Sequence, residues 1–96
     1  MKWLETDFVK VQSIEDFSKN LVNVKFVSKN FGIETKEIPK KDYELFKVGK
    51  KYISVYGVSG MPDFLGDKYI PENIVTISYF IERIFDGDKC IYEFKE

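Results

Sequence analysis

The chain has 96 residues, of which 44% are hydrophobic and 17% aromatic, and its 15 basic and 16 acidic residues leave a formal net charge of −1. A chain of this length forms one domain with a single modest core, and its apolar content excludes a disordered chain. The near-neutral charge gives no support to non-specific binding of nucleic acids or membranes.

Histidine is absent and Cys90 is the only cysteine. These two facts exclude Ser-His-Asp and Cys-His nucleophile systems, cysteine zinc sites and an intramolecular disulfide. Asp63 and Asp67 lie in a glycine-containing segment, and Asp86 and Asp88 flank Gly87, which is typical of turns. We therefore predict no cofactor, no metal site and no enzymatic activity. Because small secreted domains usually carry disulfides, and because neither a signal peptide nor a membrane span is visible, we expect a cytoplasmic protein.

The segment that follows a first short strand predicts a helix over residues 14–21. Ser13 stands where a cap accepts from the first N–H groups of a helix. Ile14, Phe17 and Leu21 follow at helical spacing. This is the one short N-terminal helix that we expect.

The next two segments predict a β-hairpin. Residues 22–28 alternate between apolar and polar, and residues 33–38 would form the returning strand of the hairpin. Gly32 lies between them and can adopt a positive φ. Pro39 ends the second strand because proline cannot donate to a ladder. If residues 22–28 are an edge strand, a homodimer through it stays open as an arrangement of the chain.

The middle of the chain predicts a strand between a polar connection and a long loop. Residues 40–46 are polar, with one helical turn. Residues 50–56 alternate, with Ile53 and Val55 on one face and two tyrosines on the other. Residues 57–67 contain three glycines and one proline, which favours a loop.

The C-terminal segment, residues 74–85, fits two patterns. Its isoleucines occur at helical spacing, but it is crowded with β-branched and aromatic residues. Asp86-Gly87 then precedes a second apolar run over residues 90–94, and Asp-Gly between two such runs is a strong hairpin signal. We favour two antiparallel strands, and the helix stays open as the alternative.

These elements together predict a single, mainly β domain over residues 1–96, with an α+β arrangement as the alternative. Five or six strands fit a small curved antiparallel sheet or an SH3-like or OB-like barrel. The absence of alanine, the best helix former, supports the same fold.

The first candidate site is the predicted loop. Met61, Phe64 and Leu65 are large apolar residues in a glycine-rich segment, and exposed apolar loops mark partner sites. The alternative is that the loop folds back and plugs the barrel. Small proteins of this composition are common among phage and mobile-element products that bind and inhibit host proteins. We therefore expect a small, non-enzymatic protein-binding or regulatory module.

The second candidate site is a lysine-rich segment with interleaved tyrosines. Residues 36–51 hold six lysines and three acidic residues. On a single-stranded nucleic-acid surface, lysines follow the phosphates and rings stack on bases. The alternative function is therefore a small-barrel nucleic-acid-binding protein that uses Lys47, Lys50, Lys51, Tyr52 and Tyr56. The alternative interpretation of these residues is a solvated lysine face over tyrosines that belong to the core.

Overall fold

A computed structural model describes the backbone of residues 1–65 and 68–94 and the side chains of residues 1–61 and 78–94. All pairings in its single sheet are antiparallel, and the strand order is β3-β2-β1-β4-β5-β6. The strands are β1 (Lys2–Asp16), β2 (Leu21–Ser28), β3 (Gly32–Pro39), β4 (Lys51–Leu65), β5 (Lys68–Asp86) and β6 (Lys89–Glu93), and a 3₁₀ helix (Lys40–Leu45) joins β3 to β4.

The predicted mainly β fold is confirmed, in the form of a curved sheet. Its strand order ends at β3 on one side and at β6 on the other. The predicted β2–β3 hairpin is present, as is the hairpin at Gly87, whose φ is +64°. The ambiguous residues 74–85 belong to β5, so the strand interpretation is confirmed.

The prediction of an N-terminal helix over residues 14–21 is wrong. β1 continues to Asp16 and pairs with β2, and its register shifts just after Val11. This bulge inserts one residue, so that Ile14 follows Val11 onto the core side of the sheet. An alternating strand with a bulge therefore imitates the spacing of a helix. Phe17 lies beyond the strand and is 56% exposed.

The prediction of a loop is also wrong over residues 57–65, because β4 continues to Leu65, and residues 66 and 67 lie outside the described residues. Gly57 leaves room for two side chains of β5: a Cβ there would lie 2.6 Å from Glu82 Oε1 and 2.9 Å from Phe80 Cζ. Glycine is used here for close approach within a strand.

Pro62 is compatible with β4 because of where its nitrogen points. The N–H of Gly60, two residues earlier, donates to the carbonyl of Met1 at the start of the chain. By alternation, the nitrogen of Pro62 points to the same side as that N–H, away from β5, so the proline does not interrupt the ladder between β4 and β5.

The expectation that residues 22–28 form an edge strand is wrong as well. β2 pairs with β1 on one side and with β3 along its whole length on the other. Its backbone groups are therefore committed within the chain, and a homodimer through this strand is excluded.

The inner face of the curved sheet carries the core. Phe26, Tyr56, Ile38, Ile81 and Ile84 are among the largest side chains with less than 2% exposure. Aromatic rings fill much of this space: the Phe26 ring centroid lies 5.5 Å from that of Phe46 in an edge-to-face arrangement. Many of the aromatic residues in the sequence are therefore used for packing.

Curvature brings β3 against β5, although no ladder joins them. Both carboxylate oxygens of Glu34 accept from the N–H of Ile81 at 3.1 Å. The Lys36 ammonium lies 2.8 Å from the same carboxylate and 4.9 Å from the ring centroid of Phe94. Side chains rather than backbone pairing thus hold the two sides of the curved sheet together.

Within the described residues, no helix has the length and apolar character required to cross a membrane.

Candidate functional site

The structure separates the residues of the predicted nucleic-acid surface. Tyr52 is 2% exposed and Tyr56 is 1% exposed, so neither ring offers a face to a base. The Tyr52 hydroxyl accepts from the backbone N–H of Lys47 at 2.9 Å. The Lys50 ammonium lies 2.7 Å from Asp86, and this hydrogen bond raises the pKa of Lys50. Both tyrosines therefore have structural roles, and the predicted surface loses its rings.

The predicted loop site lies on a two-stranded segment formed by the ends of β4 and β5. Met61 is paired with Val75 and is 47% exposed. Phe64 and Leu65 belong to β4, but their side chains lie outside the described residues. The role of these three residues in partner binding stays a prediction, and the residues belong to a strand rather than to a loop.

A different surface emerges on the outer face of the sheet, which points away from the core. Residues opposite each other in neighbouring strands share a face. One such row crosses four strands from β3 to β4, because Ile33 pairs with Val27, Val27 with Lys10, and Lys10 with Lys51. Phe8 lies two residues before Lys10 and therefore on the same face.

Large apolar side chains are unusually exposed around this row. Ile33 is 62% exposed, Val48 61% and Phe8 60%. Two shallow hollows, of about 490 and about 240 Å³, adjoin one another because Lys10 and Val27 line both. We call this continuous surface the basic-apolar face, and its members are Phe8, Lys10, Val27, Lys29, Ile33, Val48 and Lys51.

The lysines give this face a positive character. In the described part of the chain, no ion pair involves Lys10, Lys29 or Lys51. The Lys51 ammonium lies 5.6 Å from the ring centroid of Phe8, within reach of a cation–π contact. Charge and apolar area are therefore interleaved.

Asp7 is the acidic residue at the border of this face, and its carboxylate is already engaged. It accepts from the Ser28 hydroxyl and from the backbone N–H groups of Asn30 (3.2 Å) and Phe8 (2.9 Å). Burial raises the pKa of Asp7, but these hydrogen bonds outweigh that effect and hold the pKa below its ordinary value. Asp7 thus anchors the β2–β3 hairpin to β1.

Among the side chains that the structure describes, no three acidic or cysteine residues come together in a group that could hold a metal ion. Comparisons with protein-family models, with curated proteins and with solved structures find no match to this chain.

Part of the basic-apolar face had a signal in the sequence. Val9 and Val11 are core residues of β1, so Phe8 and Lys10 must point to the other side of the strand. The partners of these two residues come from other strands. Val27 and Lys51 become their neighbours only through the strand order, which the sequence pattern does not contain.

Proposed function

We propose that this protein is a small protein-binding regulatory module whose basic-apolar face binds an acidic and apolar surface of a partner protein. The observation that supports the proposal is the exposure of Phe8, Ile33 and Val48, each at about three-fifths, among three lysines that form no ion pair with the side chains that the structure describes. Contiguous exposed apolar area of this kind marks interaction sites on small soluble domains.

The side-chain chemistry of the face favours a protein over a nucleic acid. Single-strand binding requires several rings on which successive bases stack. Phe8 is the only ring among the members of this face, and its other apolar members are aliphatic. The sole arginine of the chain, Arg83, lies outside it. Aliphatic side chains bury well against a protein and offer little to a base.

The lysines indicate the charge of the partner. A positive surface attracts an acidic partner over a Debye length of about 8 Å at physiological ionic strength, and such complementarity raises the rate of association. The apolar residues would supply most of the affinity, at about 25 cal/mol per Å² of apolar surface removed from water. A module of this size would regulate by covering its partner's surface, which makes inhibition by occlusion the form of regulation that we propose.

The test compares the wild-type protein with a double variant, Phe8→Ser with Ile33→Ser. Each protein is immobilised and exposed to a nuclease-treated lysate, and captured proteins are identified and then purified for titration. Phe17→Ser is the matched control, because Phe17 is 56% exposed but lies in the connection between β1 and β2. We expect one acidic protein to bind the wild type and the control directly, and to lose at least about tenfold in affinity, or about 1.4 kcal/mol, toward the double variant.

A second arm tests the nucleic-acid alternative with fluorescent single-stranded DNA and RNA at low salt. Binding that weakens steeply with salt and requires Phe8 and Lys51 would favour that alternative. A captured protein that binds the double variant as tightly as the wild type would refute the proposed site.

A further inference from the structure

Among the described residues, no strand pairs with one edge of β1 over its first half. β1 pairs with β4 from Lys2 to Lys10, but its pairing with β2 starts only at Val9. Within the described backbone, residues 2–8 therefore have a neighbouring strand on one side alone. An unpaired strand edge is a template for another strand.

Strand alternation identifies which backbone groups point to this free edge. The N–H of Val11 donates to the carbonyl of Lys50, and the N–H of Gly60 donates to the carbonyl of Met1. Odd-numbered residues of β1 thus direct their N–H and C=O groups toward β4. The even-numbered residues direct theirs away from β4.

The free edge has a defined length. The backbone groups of Lys2, Leu4 and Thr6 point outward without a partner among the described residues. The N–H of Phe8 points the same way, but the Asp7 carboxylate already accepts from it at 2.9 Å. The edge therefore offers three N–H groups and three C=O groups, and it ends at Phe8, whose N–H is bound to the Asp7 carboxylate.

We propose that this edge pairs with the same edge of a second copy of the chain, in antiparallel orientation, with Leu4 opposite Leu4. In that register Lys2 lies opposite Thr6 of the second copy, and Thr6 lies opposite Lys2. All three N–H and all three C=O groups of each copy then find partners. Leu4 is 57% exposed, so the two leucines meet at the centre of a surface that is otherwise solvated.

The neighbouring registers fit less well. In a dimer with a two-fold axis perpendicular to the sheet, neighbouring registers differ by two residues, since the side chains must stay on their own faces. One step in one direction places Glu5 opposite Glu5 and sets Lys2 against Phe8, whose N–H is taken. One step in the other direction leaves Thr6 unpaired. The Leu4-centred register avoids like charges and uses every free group.

The size of the contact sets the expected affinity. A pairing of a few residues buries less than the roughly 800 Å² per partner of a standard stable interface. We therefore expect a dissociation constant between about 10 µM and about 1 mM, and sedimentation velocity should cover that range. Phe8 is the member of the basic-apolar face that borders this edge, and its N–H is already bound to Asp7, so the backbone pairing of the dimer does not depend on the proposed partner.

Cross-linking tests the register in a Cys90→Ser background, which removes the exposed native thiol. Residues at a hydrogen-bonded antiparallel pair have Cα atoms about 5.5 Å apart. Leu4→Cys should therefore join two chains with a thiol-reactive cross-linker of short span. Thr6→Cys is the matched control, because the two Thr6 positions lie about 14 Å apart along the strands. Equal cross-linking of both variants would overturn the register.

Sedimentation tests the edge itself. Leu4→Lys places two charges opposite each other and should abolish the dimer. Ile33→Lys introduces the same charge at an exposed aliphatic position outside the edge, 62% exposed against 57% for Leu4, and should leave the dimer intact. Circular dichroism of both variants verifies that the fold is retained. A wild-type protein that stays monomeric at about 1 mM, or a dimer that survives Leu4→Lys, would overturn the proposal.

Discussion

The contact that holds β3 against β5 depends on one carboxylate, so we predict that Glu34→Ala destabilises the protein more than other changes of a partly exposed charge. Glu34 accepts through both oxygens from the N–H of Ile81, a residue with 0% exposure, and pairs with Lys36 at 2.8 Å. The side chains of this pair are only 17% and 20% exposed. Removal of the carboxylate leaves the N–H of Ile81 without its acceptor and the Lys36 ammonium without its ion-pair partner.

The magnitude follows from these two losses. A buried N–H without an acceptor costs about 1–3 kcal/mol. The ion pair adds about 1 kcal/mol, near the upper end of the range for surface pairs, because it is shielded on one side. We expect a loss of about 2–4 kcal/mol for Glu34→Ala. Glu34→Gln keeps an oxygen that can accept from Ile81, so it should cost only about 1 kcal/mol.

Urea unfolding, followed by circular dichroism, measures these differences, and amide hydrogen exchange at Ile81 locates them. Lys36→Met is the companion variant, because it removes the charge but keeps a stem against the rings of Phe80 and Phe94. A Glu34→Ala loss below about 0.5 kcal/mol, or equal losses for alanine and glutamine, would refute the role of this carboxylate as the acceptor of the Ile81 N–H.

Three further predictions address the hairpin anchor, the core and the strand bulge. Ser28→Ala should lose about 1–3 kcal/mol in urea unfolding, because the hydroxyl, in a residue 4% exposed, donates to Asp7 and accepts from two backbone N–H groups; a loss equal to that of an exposed serine would contradict this. Burial raises the pKa of Tyr56 to about 12, above its value in the unfolded chain. The contribution of the neutral Tyr56 side chain to the free energy of unfolding is therefore complete below about pH 10 and is lost as the pH rises to about 12. Alkaline titration of stability should show a loss on the order of 3 kcal/mol over that interval, and Tyr56→Phe should reduce it. Ile14→Ala should cost about 1–3 kcal/mol while Phe17→Ala costs less than about 0.5, and equal costs would contradict the bulged strand.

Local patterns predicted the fold where a strand is regular and its turn is short. Residues 22–28 alternate between apolar and polar, Gly32 marks the turn before residues 33–38, and Asp86-Gly87 separates two apolar runs. The patterns failed where a strand is irregular. The bulge after Val11 produced a helical spacing, and the glycines of β4 resembled loop residues although they serve close approach and edge pairing.

The candidate site was less predictable than the fold because it depends on strand order. The lysines of residues 36–51 are adjacent in sequence, but Lys50 pairs with Asp86, and both tyrosines of the predicted surface face the core. Lys51 instead joins Phe8 and Lys10, some forty residues earlier in the chain, because β1 and β4 are neighbours. A local sequence pattern cannot predict a surface whose residues come from distant parts of the chain.

The strand edges explain why the second copy would pair with β1 rather than with β5. Ladder contacts between β6 and β5 begin at Arg83, so the earlier part of β5 also has a free edge in the described backbone. However, the register of β4 against β5 shifts three times, and such bulges twist an edge away from further pairing. The register of β1 against β4 is regular from Lys2 to Lys10.

Symmetry favours the same edge. A pairing of β1 with β5 would be heterologous and would continue from copy to copy as a ring or an open filament, whereas a pairing of β1 with β1 closes at two chains. The closed pair also sets the outer faces of both copies side by side, with Phe8 of each chain flanking the central leucines. A dimer formed in this way would present two basic-apolar faces on one continuous sheet, and its avidity for a partner with repeated acidic surfaces would exceed the affinity of either face alone.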